Sequence, residues 1–132
     1  MLLDGKVAVV TGSGTGLGRA YALGLARAGA KVVVNSRTAN NVANVVEEIG
    51  RMGGTAKGCA ASVASMEGAR EIIQTAVDGF GRLDILVNNA GITGRKLLAD
   101  TTEQDFDDFI ATNLKGTFAC ARHAVPHMIK QG

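Results

Sequence analysis

The chain has 132 residues, 46% of them hydrophobic and 20% charged, with a net charge of +2. That length carries one domain with a real core, and the scattered Lys and Arg leave no basic footprint for nucleic acid. No apolar stretch reaches the length of a membrane span or resembles a secretory signal. Cys59 and Cys120 stand in no metal or redox spacing, which reads as two buried free thiols in a cytoplasmic protein.

Taken in chain order, Lys6–Val10 (KVAVV) is a short continuous apolar run, the signature of a strand buried on both faces. After a glycine-rich stretch, Leu17, Ala20, Tyr21, Leu25 and Ala28 recur at helical spacing, with Gly29 as the stop. Lys31–Asn35 (KVVVN) is a second strand. Val42, Val45, Val46 and Ile49 mark a second helix closed by Gly53 and Gly54. Thr55–Ala60 is a weak third strand, poor in β-branched residues. Met66, Ala69, Ile72, Ile73, Ala76, Val77 and Phe80 give the cleanest helical stripe, and Gly81 ends it. Asp84–Asn88 (DILVN) is a fourth strand. Thr101–Gln104 fits a capping box, and one long helix is expected from about Glu103 toward Lys130, bent at Pro126. Strands alternating with helices must run parallel, with helices on both faces. The chain is therefore expected to form one doubly wound α/β unit.

The stretch Thr11–Gly18 (TGSGTGLG) falls between the first strand and first helix, where open parallel sheets bind ligands. A helix N-terminus offers unpaired N–H groups and a positive dipole end, and glycine lets an anion approach the backbone. The spacing excludes a P-loop, because Arg19 and Ala20 follow Gly18 where Lys and Ser or Thr are required. It also departs from G-x-G-x-x-G, because Leu17 occupies the third glycine position. What fits is Gly12-x-x-x-Gly16-x-Gly18. At the end of the second strand, where a carboxylate would read the ribose 2′-hydroxyl of NAD, the sequence has Asn35-Ser36-Arg37. A guanidinium with a neighbouring hydroxyl suits a 2′-phosphate, so NADP(H) is expected over NAD(H).

Two further motifs, Asn88-Asn89-Ala90-Gly91 and Thr112-Asn113-Leu114-Lys115-Gly116, join the glycine stretch in order. Together they resemble the short-chain dehydrogenase/reductase family from the first strand to the last residue. The resemblance implies a Rossmann-type sheet of order 3-2-1-4 and hydride transfer between nicotinamide and a small-molecule carbonyl or alcohol. It also implies a homo-oligomer, while the scattered charge and the lack of a membrane-length run leave neither nucleic acid nor membrane as an expected partner. It places Gly12, Gly16, Leu17 and Gly18 along the pyrophosphate, counts Ser13 among the cofactor-binding residues, and sets Arg37 with Ser36 at the 2′-phosphate. Asn89, Ala90 and Gly91 fall under the ribose, while Thr11 and Asn88 tie the first and fourth strands together. Ser62 and Val63 fall beside the adenine, where many relatives have Asp-Val. Asn113 matches the Asn of the family's Asn-Ser-Tyr-Lys tetrad, holding a proton-relay water.

The rest of that tetrad is absent. The only tyrosine is Tyr21, with Leu25 where the Lys of Tyr-x-x-x-Lys would stand, and every serine precedes the fourth strand. A free phenol has a pKa of about 10 and needs such a Lys to work near neutrality. Residues 1–132 thus read as the cofactor-binding N-terminal half of a single domain, stopping where the family's fifth strand would begin and inactive alone. The alternative is a non-catalytic nucleotide-binding or assembly module. His123 and His127, four apart on one helix, lack a third ligand, so no metal is expected.

Overall fold

The computed structural model describes residues 1–132. Strands β1 (Val7–Val10), β2 (Lys31–Ser36), β3 (Ala56–Ala60) and β4 (Ile85–Val87) alternate with helices α1 (Gly16–Arg27), α2 (Ala39–Arg51) and α3 (Met66–Phe80). All pairings are parallel, and the order is β3-β2-β1-β4, as expected. The last third of the chain forms α4 (Glu103–Phe109), a π-helical segment (Ile110–Lys115) and α5 (Gly116–Gln131).

Period-two alternation divides the strand residues between two cores. Val7, Val9 and Val33 point to one face, where they meet Ile72, Ile73 and Ala76 of α3 and Ala119, Cys120 and Ala124 of α5. Val10, Val32 and Val34 point to the other, against Ala22, Leu23 and Ala26 of α1 and Val42, Val45 and Ile49 of α2. Each central strand is therefore apolar on both sides, which is why it reads as a continuous run rather than an alternation.

Helix α3 matches its sequence stripe from end to end. Ser65 caps it by accepting from the Gly68 N–H at 3.0 Å, and Gly81, at φ 80°, closes it. Three expectations need correction. First, α1 buries Ala22, Leu23 and Ala26, whereas Leu17 and Tyr21 are exposed. Small residues bring this helix close to the sheet; the larger apolar stripe lies beside Val87, at the open edge of β4. Second, the capping box is Thr102 with Asp105, not Thr101–Gln104. Thr102 Oγ1 accepts from the Asp105 N–H and Asp105 accepts from the Thr102 N–H, both at 3.0 Å. The Lys96 ammonium and these bonds hold the Asp105 carboxyl down at about 2. Third, the final helical run spans the expected residues but carries a π segment at Ile110–Lys115 that was not expected, and Pro126 lies within α5.

Below the sheet, Asp84 joins the starts of β1 and β4. Its carboxylate accepts from the Val7 N–H at 2.9 Å and from Arg82 at 2.6 and 2.8 Å, with Lys6 at 3.9 Å. Arg82 first, then the Val7 N–H, hold its pKa below the usual 3.8 against the opposing effect of burial. A carboxyl depressed in the folded state contributes stability above its unfolded pKa and loses it as pH falls through the folded one. Asp84→Asn is therefore expected to melt lower than the parent at neutral pH. The gap should close below about pH 4; melting curves from pH 7 to 2 check this.

Candidate functional site

The carboxyl ends of β1, β2, β3 and β4 open into a cleft of about 230 Å³. Its walls come from four connections: Gly12, Gly14 and Thr15 after β1, Ser36 and Arg37 at the end of β2, Ser62 and Val63 after β3, and Asn89–Ile92 after β4.

The glycine turn is held open by its neighbours. Gly12 has φ 63° and a Cβ there would lie 2.8 Å from Ala90 Cα, so only glycine fits. Thr11 Oγ1 accepts from the N–H groups of Asn89 and Ala90 at 3.1 and 3.0 Å. Asn89 Nδ2 returns bonds to the carbonyls of Thr11 and Gly12 at 3.1 and 3.2 Å. The side chain that ties β4 to β1 is thus Asn89 rather than Asn88, whose amide reaches only the Thr117 carbonyl at 3.5 Å. A one-residue slip follows from the short β4, which ends at Val87.

Beyond this brace, none of the backbone N–H groups of Gly14, Thr15, Gly16, Leu17 and Gly18 donates to a protein acceptor. Thr15 precedes α1 without capping it, and no acidic residue sits in the first turn. Five free donors at the positive end of a helix form an anion cradle. Gly16, at φ 58°, turns the chain into that helix.

Ser13, expected among the cofactor-binding residues, does not line the cleft. It is fully buried, donating to the Val10 carbonyl at 2.7 Å and accepting from the Asn35 N–H at 2.9 Å. Leu17 turns its side chain outward, so only its backbone joins the cradle. Asn35 carries more of the site than the sequence suggested. Its Oδ1 accepts from the Gly12 N–H at 3.2 Å, and its Nδ2 donates to the Cys59 and Ala61 carbonyls at 3.0 Å each. One buried amide therefore joins the glycine turn, β2 and β3. A polar residue closing a run of three valines was the available signal.

Around the rim, the Ser36 and Ser62 hydroxyls each accept a backbone N–H at 3.1 Å, from Thr38 and Ala64. Their O–H protons stay available for donation outward. Arg37 forms no ion pair. Val63 packs beneath, where Gly116 leaves room for it.

Asn113 lies in the π segment, a distortion that often marks functional positions. Its Oδ1 accepts from the Ile92 N–H at 2.8 Å and its Nδ2 donates to the Ile92 carbonyl at 2.9 Å. Gly91 lies against that amide, with a Cβ position 3.1 Å from Oδ1. The side chain thus fixes the loop that borders the cleft. No nucleophile accompanies it. Burial pushes the Cys120 thiol up to about 11 and raises that of Cys59. Tyr21 lies on α1 beside Leu25 and Val87, in an open apolar patch.

A parallel α/β sheet with a glycine-rich anion cradle at its carboxyl edge defines a nucleotide-binding class of protein. Residues 6–132 match the short chain dehydrogenase family, and the chain belongs to it. It is 48% identical, over 97% of its length, to the peroxisomal multifunctional enzyme type 2 of Drosophila melanogaster, and covers 22% of that protein. It is 46% identical, over 96% of its length, to the 3-oxoacyl-acyl-carrier-protein reductase FabG of Staphylococcus aureus, covering 52% of it. A 7α-hydroxysteroid dehydrogenase solved with NADH and 7-oxo glycochenodeoxycholic acid superposes with a TM-score of 0.94 at 38% identity. That match spans 98% of this chain and 51% of the other. The chain thus spans about half the length of the last two. No helix is long and apolar enough to cross a membrane.

Proposed function

We propose that this chain is the cofactor-binding half of an NADP(H)-dependent oxidoreductase, one Rossmann-type domain whose remainder carries the Ser and Tyr-x-x-x-Lys. The observation that carries the reading is the run of five unsatisfied N–H groups from Gly14 to Gly18, beside an unpaired Arg37. Free donors over a cleft of this size fit a dinucleotide pyrophosphate. Bound there, the cofactor supplies a hydride for exchange with a small-molecule carbonyl or alcohol.

The chain's own residues divide the binding work. Gly12, Gly16 and Gly18 keep side chains away from the cradle. Ser36 and Arg37 present an O–H and a guanidinium to a 2′-phosphate, and the absence of an acid there removes the usual partner of a 2′-hydroxyl. Ser62 and Val63 border the adenine side, with a neutral donor where many relatives have a carboxylate. Asn89, Ala90 and Gly91 underlie the ribose. Asn113 has both amide ends engaged by Ile92, so holding a relay water falls to its backbone carbonyl, which also accepts from the Thr117 hydroxyl at 3.3 Å. Two protonated thiols in the core fit a reducing, cytoplasmic setting. The homo-oligomer common in the family belongs to the same reading.

Calorimetric titration of the chain with NADPH and NADH tests it. NADPH is expected to bind at least tenfold tighter. Arg37→Ala should remove most of that preference, as loss of a charge-assisted pair worth about 1.5–3 kcal/mol predicts. The same sample should not oxidise NADPH with carbonyl substrates. Tighter binding of NADH, or turnover by the chain alone, contradicts the proposal.

A further inference from the structure

Strand β4 has three residues and a single partner, β1. The helical rod that follows it, from α4 to α5, docks mainly through Ala119, Cys120 and Ala124, in the core shared with α3. Two side-chain amides of that rod reach beyond the two ends of β4 and do so identically, in addition to the long contact of the Asn88 amide with the Thr117 carbonyl. Asn113 takes both the N–H and the C=O of Ile92, beyond the end of the strand, at 2.8 and 2.9 Å. Gln131 takes both the N–H and the C=O of Leu83, before its start, at 2.9 and 2.8 Å.

From residue 113 to 131 the helix advances roughly 27 Å, while the segment from Leu83 to Ile92 runs through β4 and then a turn in which the Asn89 N–H meets the Val87 carbonyl at 3.0 Å. Strand and rod run in opposite directions, so the later amide meets the earlier residue. A bidentate amide fixes both the position and the rotation of its target, since N–H and C=O must be met together. Leu83 is fully buried and belongs to the core, which makes it a firm anchor. Ile92 is half-buried on the loop beside the cleft and lies outside both cores, so it has no comparable anchor.

We propose that Gln131 is a positioning residue for the site at the other end of the helix. Clamped on Leu83, it sets the longitudinal register of the rod on β4 and so delivers Asn113 to Ile92. The π segment, Ile110–Lys115, contains Asn113 and so lies at the cleft end of the rod. The two clamps are therefore one device, and each strengthens the other. This coupling concerns the fold of the chain and does not depend on which nucleotide the cleft takes.

Amide hydrogen exchange of the full chain, without added nucleotide, tests it. Gln131→Ala should speed exchange at Leu83 directly and at Ile92 by at least fivefold, while Val9 and Val33 of the central strands keep their protection. Coupling between two contacts is reciprocal, so Asn113→Ala should speed Leu83 by the factor that Gln131→Ala imposes on Ile92. Gln131→Glu keeps the acceptor for the Leu83 N–H but loses the donor, and should fall between parent and Gln131→Ala at both amides. Release of Leu83 with Ile92 unchanged overturns the proposal. Acceleration shared equally by Val9 and Val33 overturns it too, because Gln131 would then contribute only general stability.

Discussion

Asn35→Ala is expected to lower the unfolding free energy by about 3 kcal/mol, since each buried polar group left without its partner costs about 1–3 kcal/mol. Three groups lose their partner together: the Gly12 N–H and the carbonyls of Cys59 and Ala61. Asn35 is 1% exposed, so water does not readily replace the amide. The backbone pairing of β2 with β3 remains, which limits the loss and should leave the variant folded at 25 °C. For a chain of this size the melting temperature should fall by roughly 10 °C. Nucleotide affinity should fall as well, because the Gly12 turn loses its tie to β2. Thermal melts and a cofactor titration on one sample separate the two effects. A loss below about 1 kcal/mol would mean that the amide is solvated after all.

Gly18→Ala should have the largest effect on binding. A Cβ at position 18 falls on the Gly12 carbonyl oxygen and 2.5 Å from Asn89 Nδ2. Neither atom belongs to a flexible side-chain end: one is backbone, and the other is held by the Thr11 and Gly12 carbonyls. Relief requires moving the turn, with a stability cost of about 1–3 kcal/mol for overpacking and loss of the Asn89 brace. Affinity for NADPH is expected to drop at least 30-fold. Gly24, in the same helix, provides the control. Nothing lies within 4 Å of its Cβ position, so Gly24→Ala should stabilise the chain by about 0.5–1 kcal/mol, as helix propensity alone predicts. Equal effects at the two positions would show that helical glycine itself, rather than the contact at Gly18, controls binding.

The sequence was most legible where one periodicity governs an element. The stripe of α3 survives unchanged because the helix packs one face on one core, between a serine cap and a left-handed glycine. Strands β1 and β2 are legible as continuous apolar runs because helices cover both of their faces. The reading failed where two apolar faces compete. In α1 the larger residues, Leu17, Tyr21 and Leu25, outweighed the small ones, although Ala22 and Ala26 make the close approach to the sheet. Size marks apolar surface but not which surface is covered. The break at Ile110–Lys115 has no local marker, since a π segment needs neither glycine nor proline; Pro126, the expected disturbance, sits within α5.

At the site, the motifs located the cleft but not the direction of each side chain. Ser13 and Asn89 read as ligand contacts or neighbours of them, yet both are largely spent on the protein. Ser13 binds Val10 and Asn35, and the Asn89 amide binds Thr11 and Gly12. Apart from the Ser13–Val10 bond, three positions apart, such roles depend on contacts between residues 22 to 78 positions apart, which no local pattern encodes. Arg37 and Ser36 were legible because a strand end followed by a cation states its chemistry in adjacent residues.

The most direct measurement is a 1H–15N amide shift titration of the chain with NADPH. The account predicts the largest shifts at Gly14, Thr15, Gly16, Leu17 and Gly18, with smaller ones at Ser36, Arg37 and Gly91. Binding that leaves the amides of residues 14–18 unmoved would contradict the claim that this run of free N–H groups holds the pyrophosphate.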